Sequence, residues 1–270
     1  MEIFMKDLTV FVNSSDSYAD LWPVFFDLFK MNWPDYDGVI YLNTEQKSYR
    51  HEGLNIICTQ VGRLSSFGRV FRAGLDMVAT DNVLFFMIDY IFMGRVDAGR
   101  LRRYYEYFLS GHYDSLCLAS SPYYRMVSVA DNRELSCVLS PSRDMFSFQA
   151  AYWKREALRN IVLPNENPWT AEWYGTKRAN KMNLRLLALS ENVESPIPYH
   201  LSGCLQKGKW REEAVEYLHD IGYNVDFERR GYAPPSVARG LKTRCRQKWT
   251  FVRCGLMGSY WDLMRRSLRG

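Results

Sequence analysis

The sequence lacks the features that mark several common protein classes. None of its six cysteines (Cys58, Cys117, Cys137, Cys204, Cys245 and Cys254) forms a Cys-x-x-Cys pair, and no histidine lies at metal-finger spacing from them. That excludes a zinc finger and a disulfide framework, and free, mostly buried thiols in a reducing compartment are expected. No apolar run exceeds Val83 to Ile88, far too short to span a bilayer. The chain does not open on a basic segment followed by a longer apolar one, so no secretory signal is expected and the cytoplasm is the expected location. There is no internal repeat and no low-complexity tract. The first apolar stretch is not followed by a glycine-rich loop with Lys or Arg; Asn13-Ser14-Ser15-Asp16 stands there instead. That counts against a nucleotidyltransferase, which would usually cradle phosphate in such a loop.

What is present is ordinary globular material with two biases. At 270 residues, 47% hydrophobic and 24% charged, the chain can bury a sizeable core in one large domain. Aromatic residues reach 15%, which suits a ring-rich core and equally a cleft that stacks rings on sugars or bases. The net charge of +5 is unevenly spread: Arg229 to Gly270 holds 11 Lys and Arg against Asp262 alone, leaving −5 on residues 1–228. An acidic body with a basic tail points to an anionic partner for the tail.

Hydropathy patterning predicts strands at Leu8–Val12, Gly38–Leu42, Leu54–Cys58, Val83–Ile88 and Tyr113–Ala119. Helices are predicted from about Ser17 to Trp33-Pro34, over Ser66–Thr80 and over Asp97–Leu109. Alternation of this kind argues for a doubly wound α/β fold with a mostly parallel sheet. Later strands are predicted near Leu135–Leu139 and Phe146–Phe148, and helices over Ala150–Ile161, Trp169–Ala179 and Trp210–Ile221. Pro234-Pro235 reads as a linker into the basic tail.

In open α/β sheets ligands bind at the carboxyl ends of the strands, which gathers Asn13, Ser14, Asn43, Thr44 and Asp89 on one edge. A carboxylate closing a buried strand is costly unless solvated, paired or bound to a cation. Asp89 is therefore a candidate ligand to a divalent metal on a diphosphate, although a turn cap explains it equally well. Arg63, Arg69 and Arg72, before and within the helix feeding that strand, can hold phosphate, while a solvated helix face accounts for any one of them. Glu172, between Trp169 and Trp173, can have a raised pKa and serve as a general base; an ordinary helix acid near the positive end of the dipole is the alternative.

These segments resemble the GT-A type glycosyltransferases of bacterial capsular polysaccharide and O-antigen synthesis. In that family a helix bearing an Arg leads into an apolar strand ending in acidic residues, and here Arg69 precedes Ile88-Asp89-Tyr90-Ile91-Phe92. Ser147-Phe148-Gln149-Ala150-Ala151-Tyr152-Trp153-Lys154 is similar to the stretch before the family's acceptor pocket. Asn167-Pro168-Trp169-Thr170-Ala171-Glu172 is similar to its Trp-x-x-Glu, and Gly208-Lys209-Trp210 to a late Gly-Lys-Trp element. The resemblance covers roughly residues 7–230. It departs at the acidic motif: Asp89-Tyr90-Ile91 is not an Asp-x-Asp.

The resemblance implies a GT-A-like domain over residues 1–230, its donor half about 1–120 and its acceptor half about 121–230, followed by a basic amphipathic extension over 231–270. It implies transfer, with inversion, from a nucleotide-diphosphate sugar, a UDP-sugar, to a saccharide acceptor that is lipid-linked. Glu172 would be the catalytic base. Asn13, Ser14, Asn43, Thr44, Arg63, Arg69, Asp89 and Lys209 would bind the donor. Gln149, Trp153 and Trp169 would bind the acceptor. Asp89 would hold a divalent cation, Mn²⁺ or Mg²⁺, with no organic cofactor. The tail, with Arg and Lys interleaved among Trp249, Tyr260 and Trp261, suits peripheral contact with the inner face of the cytoplasmic membrane rather than nucleic acid. The rival readings are a sugar-nucleotide nucleotidyltransferase and a non-catalytic nucleotide- or anion-binding protein.

Overall fold

The computed structural model describes residues 8–234. Its fold is α/β: a mixed but mostly parallel sheet flanked by helices. The strands are β1 (Thr9–Asn13), β2 (Val39–Leu42), β3 (Asn55–Cys58), β4 (Asn82–Met87), β5 (Ser115–Cys117), β6 (Met126–Val129), β7 (Asn132–Val138), β8 (Ala151–Lys154) and β9 (Leu186–Leu189). They form one sheet in the order β3-β2-β1-β4-β8-β5-β9-β7-β6. Strands β8 and β7 run against the other seven. A separate hairpin, β10 (Leu205–Gln206) and β11 (Lys209–Trp210), follows.

Alternation along the strands divides the core into two layers. Val10, Val12, Leu84 and Phe86 face one side of the sheet, with helices α1 (Leu21–Asn32) and α3 (Ala98–Ser110) over them. Phe11, Val83, Phe85 and Trp153 face the other, under α2 (Phe67–Asp76), α4 (Arg155–Ile161) and α5 (Pro168–Lys181). Helix α6 (Glu212–Asp220) joins the first layer through Ala214 and Leu218. Both faces of the central strands are thus covered, which is why Val83–Ile88 is apolar throughout.

The segment 150–161 departs from the expected helix. Its first part is strand β8, inserted antiparallel between β4 and β5, and only Arg155–Ile161 is helical. Tyr152 fills one layer and Trp153 the other. Phe146–Phe148 is not a strand; these residues cross the lower layer, with Phe146 packing edge-on against Trp153. Strands β6, β9, β10 and β11 were not anticipated. Because β8 lies between β4 and β5, the proposed donor and acceptor halves share one sheet.

The carboxyl edge is stitched by polar side chains. Asn43 donates through Nδ2 to Asn13 Oδ1 at 2.9 Å, and Thr59 donates to Asn43 Oδ1 at 2.9 Å. Asp16, after β1, accepts the backbone N–H groups of Glu45, Gln46 and Lys47 after β2 at 3.0–3.2 Å. Helix α2 closes on this network through Gly74, where an added Cβ would sit 2.1 Å from Asn43 Oδ1. Gly74→Ala should therefore destabilise the protein by about 1–3 kcal/mol despite the better helix propensity of alanine. Chemical denaturation checks it; an unchanged midpoint would contradict the packing.

Candidate active site

Two polar centres are linked by a belt of buried and half-buried side chains. The first is the end of β4. Asp89 sits beyond the strand with its backbone carbonyl accepting the N–H of Cys204 at 2.7 Å. Its carboxylate lies against Gly203, where an added Cβ would come within 2.5 Å of Oδ2 on a backbone with φ +73°. Glycine is thus needed there twice, for space and for conformation. Burial pushes the Asp89 pKa up to about 6, opposed by its own backbone N–H and by the charge of Arg211. Arg211 is reached through the same segment, its N–H donating to the Cys204 carbonyl at 2.9 Å. It forms no ion pair among the described residues, and its buried Nε has no partner. Arg230, by contrast, is spent: it forms a two-point bridge to Asp20 and stacks over Tyr18. Among the described residues Arg211 is the unpaired cation in the field of Asp89.

The second centre is a cavity of about 820 Å³ whose wall includes Trp169, Glu172, Trp173, Thr176, Lys177 and Asn180 of α5. Asn167 caps this helix in a reciprocal pair with Thr170, and Pro168 opens it. The cap places Glu172 in the second turn, beyond the donors that the dipole argument invoked. Glu172 accepts the Phe148 N–H at 2.9 Å. Burial raises its pKa above the ordinary glutamate value, partly offset by that hydrogen bond, with Asp144 adding to the rise. Trp169 and Trp173 are 68% and 55% exposed, and indole faces of this kind suit stacking on a sugar ring.

The belt between the centres is Tyr90, Gln149 and Tyr199. Gln149 donates to Tyr90 Oη at 3.3 Å and to the Leu201 carbonyl at 2.9 Å, while Tyr199 donates to Gln149 Oε1 at 3.0 Å. Both Asp89 and Glu172 act electrostatically on Tyr90, so one tyrosine feels both carboxylates.

No protein-family profile matches the chain, and no curated protein matches it. Solved structures do. Staphylococcus aureus TarS 1–349 in complex with UDP-GlcNAc is 17% identical over 82% of this chain and 68% of that one, with a TM-score of 0.47. The Pyrobaculum calidifontis mannosyltransferase PcManGT in complex with GDP-Man and Mn²⁺ is 14% identical over 86% and 67%, at 0.48. UDP-glucose pyrophosphorylase complexed with UDP-glucose is 8% identical over 69% and 90%, at 0.44. Against another structure of TarS 1–349 the chain spans 59% of that chain's length.

Several anticipated side chains are placed differently. Trp153 is 3% exposed and belongs to the lower core layer, so it does not line an acceptor cleft. Its position on a strand rather than a helix is the reason. Gln149 lines the cavity, but its amide is engaged in the belt and acts as a strut. Asn13, Asn43 and Thr44 do lie on the carboxyl edge, yet they are buried and bonded to one another or to Thr59 and Gln60, and Ser14 accepts from Trp22 Nε1. They hold the edge rather than present groups to a ligand. Lys209 is exposed on the hairpin, two residues before Arg211. Arg63 and Arg69 are exposed at the same edge, in the loop after β3 and the first turn of α2. Arg72 is turned to the Val162 carbonyl at 2.9 Å. Arg211 went unnoticed because it stands one residue past the Gly-Lys-Trp element; the missing second acid at Asp89 was the available signal.

The metal reading fits poorly. A hard divalent cation wants several oxygen ligands, and beside Asp89 the charge that acts is that of an arginine. No group of three His, Cys, Asp or Glu among the described residues can hold a metal ion. The cysteines of the described residues are free, Cys204 buried and Cys58, Cys117 and Cys137 half-buried. Cys245, Cys254 and nearly all of the predicted tail lie outside the described residues. No helix among the described residues is long and apolar enough to cross a membrane.

Proposed function

We propose that the chain is a nucleotide-sugar-dependent glycosyltransferase. The observation that carries this reading is the pairing of a half-buried carboxylate with exposed indoles in one cavity, together with an arginine beside Asp89 that forms no ion pair among the described residues. The donor diphosphate lies along the edge from Asp89 to Arg211, with Arg63 and Arg69 at its outer side. The acceptor sugar stacks on Trp169 and Trp173. Glu172 takes the proton of the attacking hydroxyl as the new glycosidic bond forms. Arg211 balances the negative charge that builds on the leaving nucleoside diphosphate. A base opposite the leaving group supports inversion. The rival nucleotidyltransferase reading leaves the indole-lined cavity without a task.

A screen of nucleotide sugars by thermal shift, run with and without Mn²⁺ and followed by donor hydrolysis, tests the reading. A UDP-sugar should raise Tm and be slowly hydrolysed without acceptor. If no nucleotide sugar binds, the chain is not such a transferase.

A lipid-linked acceptor, bacterial surface polysaccharide as the product and contact with the inner membrane face belong to this proposal, on the strength of the basic stretch after Pro234. The protein should co-sediment with anionic phospholipid vesicles, and a truncation after Pro234 should not. Equal sedimentation of the two would remove the tail's role.

A further inference from the structure

The cavity wall formed by α5 has an internal order that the proposed reaction does not use. Trp169, Trp173 and Lys177 succeed one another at four-residue spacing, and so do Glu172, Thr176 and Asn180; all six line the cavity. Four-residue spacing puts each set on one stripe of a helix.

The inner stripe is bolted to the facing loop. Glu172 accepts the Phe148 N–H, Thr176 Oγ1 accepts the Phe146 N–H at 3.2 Å, and Asn180 Oδ1 accepts from Ser140 Oγ at 2.7 Å. These bonds hold residues 140–148 against the helix, and Arg143 and Asp144 line the cavity from that loop.

Two cations therefore line the cavity, Lys177 from the helix and Arg143 from the loop. Neither forms an ion pair among the described residues. Each is held by rings instead: the Lys177 ammonium lies 5.3 Å from the Trp173 ring centre and 5.2 Å from that of Tyr174, and the Arg143 guanidinium lies 4.7 Å from that of Tyr123. Contact with a ring face steadies a cation without neutralising it, so both remain able to take an anion. Of the cavity's acids, Glu172 accepts the Phe148 N–H, and Asp144 follows Arg143 in the loop and acts on Glu172; neither pairs with Arg143 or Lys177 among the described residues.

We infer that the acceptor of this cavity is an anionic saccharide, carrying a phosphate or carboxylate group beside the hydroxyl-bearing ring. The inference rests on the reading of this cavity as the acceptor site. Arg143 and Lys177 clamp the anionic group, Trp169 and Trp173 stack the ring, and Glu172 meets the free hydroxyl.

Titration of the full-length protein with glucose, glucuronate and glucose 6-phosphate, followed by NMR, tests it. The anionic sugars should bind at least about tenfold more tightly than glucose, as one or two charge-assisted hydrogen bonds provide. Whichever is tighter tells carboxylate from phosphate. The R143Q/K177Q double variant should bring both to the level of glucose, while Trp169→Ala should weaken all three alike. If the double variant does not fold, as judged by circular dichroism, the single variants carry the test and each should lose part of the preference. Equal binding of the three sugars, no binding of any, or a preference that survives in the variants would overturn the inference. UDP binding to the unaltered protein is measured separately. Anion preference without UDP binding would remove the transferase and keep the anion site; UDP binding without preference would do the reverse.

Discussion

Glu172→Gln should lower the rate of sugar transfer by at least about a hundredfold while leaving UDP binding within a factor of two. The amide keeps the size of the carboxylate and can still accept the Phe148 N–H, so the cavity stays intact. What is lost is the ability to take a proton, and positioned bases commonly contribute 10²–10⁴ in rate. Steady-state transfer assays beside UDP titration read both quantities, and near-normal turnover would remove Glu172 as base.

The same residue sets the pH behaviour. Burial raises its pKa, so transfer should fall as pH drops through a value above that of an ordinary glutamate. Asp89, at about 6, loses its charge in a neighbouring range. The sign for stability is the opposite of that for activity. A carboxyl whose pKa is higher folded than unfolded contributes stability below the unfolded value, and that contribution is lost as pH rises through the folded one. For Asp89 that window runs from 3.8 to about 6. Asp89→Asn should accordingly stabilise the protein at pH 8, by on the order of 3 kcal/mol at most, and so raise Tm; a lower Tm there would contradict the burial of Asp89.

Arg211→Ala should cost about 10²–10³ in kcat/KM for the donor, the range seen when one preorganised donor to a developing negative charge is removed. Arg211→Lys should recover part of this, since charge is kept while the fork is lost. Lys209→Ala should change the same constant by less than about threefold, because Lys209 is exposed and lies outside the field of Asp89. Donor hydrolysis measured across the three variants discriminates. A larger effect at Lys209 than at Arg211 would return the diphosphate to the Gly-Lys-Trp element itself.

The two positions show what local pattern does and does not convey. Gly-Lys-Trp was visible as a string, but whether residue 209 or 211 turns toward the strand ends depends on the hairpin and on the Cys204–Arg211 backbone contact. Trp153 makes the same point. Its neighbours Ala150-Ala151-Tyr152 satisfy helical and extended patterns alike, and a short apolar run cannot tell them apart. The partner strands β4 and β5 decide it by offering ladder hydrogen bonds on both sides.

The amino-acid sequence by itself determined the α/β alternation, the apolar strand closed by Asp89 and the helix bearing Glu172 between indoles. Each depends on periodicity or capping within a dozen residues, where local sterics and hydrogen bonding dominate. Only the tertiary structure decided which polar groups remain free. Asn13, Asn43 and Gln149 are consumed by partners 30, 16 and 59 residues away, whereas Arg211, Arg143 and Lys177 form no ion pair among the described residues. A buried polar group must find a partner, and which groups are left without one is settled by how distant segments meet.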